Sequence, residues 1–264
     1  MDRCRVMFAV WIAGGMLLGS ALAEPTAIDV RVISKGAKFV GTSIGGVEVV
    51  IRDAETGQIL ARGKTVGTTG DTAKLMTEKA PHHAPVSTED AAVFRAQVEL
   101  IEPRRIEVTA RGPLSQRQAE NTASVTQWVV PGKAVTGGDG LVLELPGFAV
   151  NVLAPPAHVN LAGNPQSVAL RANVCMMCGC PITPGGLWDA DQFEVAAFIY
   201  HDGQKRGELP LEYAGQPSQF QATLEVDRTG LYEVIVYAYD PARWSAQRHH
   251  RTRADLVCYH HGGP

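Results

Sequence analysis

Apolar and polar residues alternate along this chain in short segments that Gly or Pro repeatedly interrupts, and no window of about a dozen residues carries an apolar stripe of period 3.6. A period of two turns one face of an extended chain inward, so the pattern dictates strands and leaves little room for helix. Ile28-Asp29-Val30-Arg31-Val32-Ile33 alternates, Val47 to Asp53 follows a Gly-Gly turn, and Thr56-Gly57 turns the chain into Ile59-Leu60-Ala61. Ala92 to Ile101, Arg105 to Ala110, Ala123 to Val130, Leu141 to Leu145 and Phe148 to Leu153 read the same way, each bounded by Gly or Pro. The 27 Gly and 16 Pro supply the turns such a chain needs, and the spacing predicts a β-sandwich.

Alternation lapses after Leu153. Ala154-Pro155-Pro156-Ala157-His158 and Gly163-Asn164-Pro165 concentrate Pro and Gly as linkers do, which predicts a boundary over residues 155–166. Strand patterns then resume at Val168 to Val174, Phe193 to Tyr200, Phe220 to Val226 and Leu231 to Tyr239, with an Asp202-Gly203 turn between the second and third. The expected fold is all-β, with two β-sandwich domains in tandem over residues 24–154 and 167–243. Residues 244–264 depart from it: they are rich in Arg and His, and only Leu256-Val257-Cys258-Tyr259 is strand-like. An altered end of the reading frame and a His-bearing extension both account for that change.

Two resemblances accompany these segments. Gly46-Val47-Glu48-Val49-Val50-Ile51-Arg52-Asp53-Ala54-Glu55-Thr56-Gly57, with Leu60-Ala61-Arg62-Gly63, resembles the transthyretin-like, carboxypeptidase-regulatory-like β domains. That resemblance implies an accessory folding or binding module rather than a catalyst. Asp227-Arg228-Thr229-Gly230-Leu231-Tyr232-Glu233-Val234 resembles the tyrosine corner of bacterial immunoglobulin-like domains, in which the hydroxyl bonds upstream backbone. Val234 stands where antibody domains carry Cys, so the resemblance carries no inter-sheet disulfide.

Residues 1–23 read as a cleavable secretory signal peptide. Arg3 and Arg5 make a positive start, Val6 to Leu18 an apolar run, and Ala21-Leu22-Ala23 a small-residue cleavage site. The run is shorter than the roughly 20 residues a bilayer needs, and no later stretch is apolar enough to cross one. The expected mature chain begins at Glu24 in the periplasm or outside the cell, with no stable membrane insertion. Its 22 basic and 26 acidic residues follow from removing two Arg and one Asp from totals of 24 and 27, giving a formal charge of −4. No basic patch or arm offers counterion release, which argues against nucleic-acid binding.

Chemistry concentrates in Cys175-Met176-Met177-Cys178-Gly179-Cys180, followed by Pro181. Thiolates and thioethers are soft ligands, so Cys175, Cys178, Cys180, Met176 and Met177 together suit Cu(I), with Gly179 and Pro181 permitting the turn that gathers the sulfurs. Zinc fits less well, because three thiolates need a fourth ligand from a His or Cys258. An oxidising compartment offers a competing fate, disulfide formation. Cys175 with Cys178 closes a small loop, Cys178 with Cys180 makes a tight ring, and Cys258 is a partner for whichever is left. Trp188 is read as core or as a shield for an ion, His201 as a surface residue, and His82-His83 as a solvated pair.

Enzyme signatures are formal only. Gly41-Thr42-Ser43-Ile44-Gly45 matches Gly-x-Ser-x-Gly but lacks the strand before and the helix after that a nucleophile elbow requires. Gly67 to Thr72 lacks the Gly-Lys-Ser/Thr ending of a phosphate loop. The sequence therefore predicts a non-enzymatic exported protein that binds Cu(I) or passes it between donor and acceptor proteins. The alternative is a structural or interaction module of the envelope that binds protein or glycan, with its cysteines in disulfides.

Overall fold

The computed structural model describes residues 22–78, 81, 84–161, 165–244 and 254–260. In chain order its strands are β1 (Glu24–Ser34), β2 (Glu48–Asp53), β3 (Ile59–Lys64), β4 (Phe94–Leu100), β5 (Arg104–Gly112), β6 (Asn121–Val129), β7 (Leu141–Leu145), β8 (Phe148–Ala154), β9 (Gln166–Met176), β10 (Glu194–His201), β11 (Gln204–Pro210), β12 (Glu212–Tyr213), β13 (Gln219–Val226), β14 (Gly230–Tyr239) and β15 (Ala254–His260). Among the described residues, two α-helices of a single turn, α1 (Thr72–Met76) and α2 (Pro241–Trp244), and three 3-10 turns make up the rest of the regular structure. The all-β expectation holds. The proposed signal peptide, apart from Leu22 and Ala23, and His82-His83 lie outside the described residues, and β1 starts at Glu24. No described helix is long and apolar enough to cross a membrane.

Four sheets form two sandwiches. In the first, β4-β1-β7 faces β3-β2-β5-β6; in the second, β12-β13-β9-β8 faces β11-β10-β14-β15. Pairing between the strands named above is antiparallel except between β1 and β7, which run parallel from Val30↔Leu141 to Ser34↔Leu145. Period-two burial builds each core. Ile28, Val30 and Val32 of β1 meet Val49 and Ile51 of β2 and Ile106 and Val108 of β5, all completely buried. In the second core Leu170, Ala172 and Val174 of β9 meet Val195 and Ala197 of β10 and Val234 and Val236 of β14.

Three placements differ from the sequence reading. β8, read as the last strand of the first domain, pairs with β9 from Phe148↔Met176 to Ala154↔Arg171 and sits in the second sandwich's sheet. Sheet membership thus changes at Pro146-Gly147, and the Pro-rich stretch expected to link the domains joins two strands of one sheet. The tail expected to be irregular supplies β15, paired with β14 from Gly230↔His260 to Val236↔Ala254. The tyrosine-corner hydroxyl of Tyr232 donates to the Asp227 carboxylate at 3.4 Å, a side chain rather than the expected backbone group.

The β2–β3 turn shows how sequence fixes a connection. Asp53 is 3% exposed; its Oδ1 accepts the backbone N–H groups of Glu55 and Thr56 at 2.9 and 2.8 Å, and Arg104 reaches Oδ2 at 2.8 Å. The Thr56 and Glu55 amides, then the guanidinium, hold the carboxyl down at about 2. A depressed native pKa stabilises the fold above the unfolded-state value of about 3.9, and that contribution disappears as pH falls through the native value. Asp53→Asn is accordingly expected to lower the wild type's unfolding midpoint at pH 7 and to flatten the dependence of that midpoint on pH between about 4 and 2, as measured by denaturant titration.

Candidate functional site

The sulfur-rich run occupies the end of β9 and the turn after it, where strand parity decides where each side chain goes. Val174, Met176, Cys178 and Cys180 enter the second core, whereas Cys175 and Met177 enter the first. The partner strand β8 does the same, with Phe148 and Val150 in the second core and Ala149, opposite Cys175, in the first. All five sulfur-bearing side chains are buried, at 5% exposure for Cys175, 3% for Met176, 0% for Met177 and Cys178, and 7% for Cys180. They lie between two sandwiches rather than on an accessible edge.

The turn is closed by Gly179 N–H donating to the Met176 carbonyl at 2.7 Å and Met176 N–H donating to the Cys180 carbonyl at 3.0 Å. Gly179 has φ +81, a left-handed conformation that favours glycine, and a Cβ at this position would meet Ile44 of the first sandwich at 3.4 Å. This reversal brings the Cys178 and Cys180 α-carbons to 5.5 Å, and those two residues form the disulfide. The small loop between Cys175 and Cys178 does not form, because the two side chains point into different cores. Cys175 stays a thiol. Burial pushes its pKa up to about 11, against a smaller opposing effect of the Gln116 side chain. Among the described residues, no group of three or more His, Cys, Asp or Glu side chains could hold a metal ion.

Polar contacts fasten the same seam. The Gln118 side-chain amide behaves as a piece of strand beside β8, accepting from Val152 N–H at 2.9 Å and donating to the Val152 carbonyl at 3.2 Å. Asn151 donates to the Gln116 side-chain oxygen at 2.6 Å, and Met177 N–H donates to the Gly147 carbonyl at 2.8 Å. Trp188 is buried in the second core, and its indole N–H donates to the Gly36 carbonyl of the first sandwich at 3.1 Å. Beside it, Phe148, Met176, Leu187, Trp188 and Phe193 line a groove of about 380 Å³ that also meets Lys35 and Asp240.

His201 is buried at 6%, not superficial. Its Nε2 lies 3.0 Å from the Thr229 carbonyl and its Nδ1 3.2 Å from an Arg206 nitrogen, an arrangement satisfied by a neutral ring protonated on Nε2. The ring packs on Tyr232 with centroids 4.7 Å apart, at one end of a groove of about 420 Å³ that Arg228 and Glu208 also line. The turn after His201 gives no sequence signal of this burial; the signal lies in Tyr232, whose corner packs over it. Ser43 of the Gly-x-Ser-x-Gly match sits on a 3-10 turn, Thr42–Ile44, that leads into β2 with no helix behind it.

No family model and no curated protein matches the chain. Among solved structures, it is similar to a three-immunoglobulin structure of titin domains I67–I69 in a Glu-to-Ala variant, at 10% identity and a TM-score of 0.24, covering 91% of this chain and 66% of that one. It is also similar to a DUF3823 family protein from Bacteroides uniformis, at 13% identity and a TM-score of 0.23, covering 89% of this chain and 96% of that one. The β-sandwich description rests on the sheets and cores of this chain itself.

Buried to 5% exposure and with its thiolate disfavoured, Cys175 is expected to resist iodoacetamide in the native protein and to react fully in guanidinium. Mass spectrometry of the peptide that contains it reads the difference.

Proposed function

We propose that this protein is a non-enzymatic structural or interaction module of the cell envelope, periplasmic or secreted, whose paired sandwiches present their outer surfaces to a protein or glycan. The observation that carries this reading is the burial of the whole sulfur-rich run between two cores, with Cys178 bonded to Cys180. The residues with the greatest chemical potential are committed to packing and to a covalent link. A junction of this kind gives the two sandwiches one relative orientation, which suits a scaffold.

Carriage of Cu(I) is the competing reading. It requires Cys178 and Cys180 to be reduced, and it requires Cys175 and Met177 to leave the first core while Met176 leaves the second. Withdrawing a fully buried Met or Leu-sized side chain typically costs about 2–5 kcal/mol, so metal binding would have to exceed the cost of opening the junction. Titration of the mature protein with Cu(I) under anaerobic conditions, against a competing chelator, separates the two readings. The expected result is weak binding that is the same in wild type and in Cys178→Ser/Cys180→Ser, with both proteins folded by circular dichroism. Tight stoichiometric binding that this double variant or Met176→Leu/Met177→Leu abolishes overturns the scaffold reading.

A further inference from the structure

Outer strands of a sheet expose unpaired backbone groups, and proteins guard them with charge, short length, bulges or cover. Most outer strands here follow that rule. β3 carries Arg62 and Lys64, β4 carries Arg95 and Glu99, β7 carries Glu144, and β12 has two residues. β11 carries Lys205, Arg206 and Glu208 beside a bulge in its pairing with β10, and β8 is covered by the Gln118 amide.

Among the outer strands whose side chains are described, β6 is the exception. From Asn121 to Val129 it holds no charged residue and no Pro, and its pairing with β5 is continuous from Arg104↔Val129 to Gly112↔Asn121. Residues 124–128 are all exposed, including Val125 at 38% and Trp128 at 61%. Val125 lies opposite the fully buried Val108 and on the same face of the sheet, yet it is only partly covered, at the margin where the four-stranded sheet extends past the three-stranded one.

Backbone direction fixes how this edge can be used. The Arg105 carbonyl accepts from Ala54 N–H on the β2 side, so the backbone groups of Ile106, Val108 and Ala110 face β6. Across the ladder, Gln127, Val125 and Ala123 face back to β5, and Thr122, Ser124, Thr126 and Trp128 point their N–H and C=O groups outward.

We propose that β6 is a homodimer interface, in which two copies pair β6 to β6 in antiparallel fashion about a two-fold axis through Val125 and join their four-stranded sheets into one. That register lets every outward-facing residue meet another: Thr122 lies opposite Trp128 of the second copy, and Ser124 lies opposite Thr126. It sets an aromatic ring against a β-branched residue and hydroxyl against hydroxyl, both favourable cross-strand pairs, and puts no like charges together. A second copy is the occupant that the edge itself specifies, because an uncharged strand with this sequence is complementary to its own reverse. Val125 meets Val125 as a non-hydrogen-bonded pair, with α-carbons about 4.5 Å apart. The interface does not depend on the function proposed above.

The test uses the mature chain in a Cys258→Ser background. Light scattering is expected to give a dimer for the parent, and air oxidation of Val125→Cys a covalent dimer on non-reducing gels that dithiothreitol dissolves. Thr126→Cys, which in this register faces Ser124 and not itself, is expected to cross-link far less. Val125→Lys places two like charges opposite each other and is expected to weaken the dimer at least about tenfold while leaving the thermal midpoint of the dilute monomer unchanged. A parent that remains monomeric at about 100 µM overturns the proposal, as does a dimer unaffected by Val125→Lys.

Discussion

The alternate delivery of residues 174–178 into two different cores is the constraint on which the rest of the molecule depends. A strand in an ordinary sandwich has one dry face, yet the ends of β8 and β9 have two, because the first sandwich covers the face that the second leaves open. Strands buried on both sides lose alternation and become uniformly apolar. That is the composition of Val174-Cys175-Met176-Met177-Cys178, and it explains why such a run sits in a protein otherwise patterned with period two. Sulfur suits the place. Cys is small and apolar when unionised, and unbranched Met fills the irregular space between surfaces that were not built as one core.

Once this seam forms, its edges must be satisfied, and the polar contacts follow from that need. β8 is an outer strand at the junction, so its backbone at Val152 requires partners, and Gln118 supplies both a donor and an acceptor. The Gly36 carbonyl, at the turn after β1, takes the Trp188 indole N–H, which lets a large ring be buried without stranding its donor. The buried thiol of Cys175 and the buried disulfide are consequences of the same dryness. Reactivity at this place would require water to enter between the sandwiches.

Strands with one dry face were legible in the sequence, and elements defined by distant partners were not. β1, β5, β7, β9 and β13 announce themselves by alternation and β2, β10 and β14 by short runs of β-branched and aromatic residues, and β7 has the expected bounds. β11 escaped notice because Gln204-Lys205-Arg206-Gly207-Glu208 lies on an outer edge with mostly exposed side chains, so no period appears. β8 was visible as a strand, but its sheet was not, since alternation says which residues point inward and nothing about which core receives them. The sulfur run is divided between cores for the same reason. Proximity in sequence suggested a gathered set of ligands, whereas parity sends Cys175 and Met177 one way and Met176, Cys178 and Cys180 the other.

The first sandwich is asymmetric, and the two ends of that asymmetry are handled differently. A four-stranded sheet facing a three-stranded one leaves apolar surface without a lid. Near Ala149, Cys175 and Met177 the second sandwich provides the lid, and those residues are dry. Along the middle of β6 the cover is incomplete, and Val125 and Trp128 stay partly exposed to water. Charge on the outward face of such a strand would have made it a stable boundary at little cost, because Ser124, Thr126 and Trp128 are exposed there. A neutral, β-branched, hydroxyl-rich strand at that position is instead suited to further pairing, and the same period of two that builds each core here continues outward to an unfilled place in the sheet.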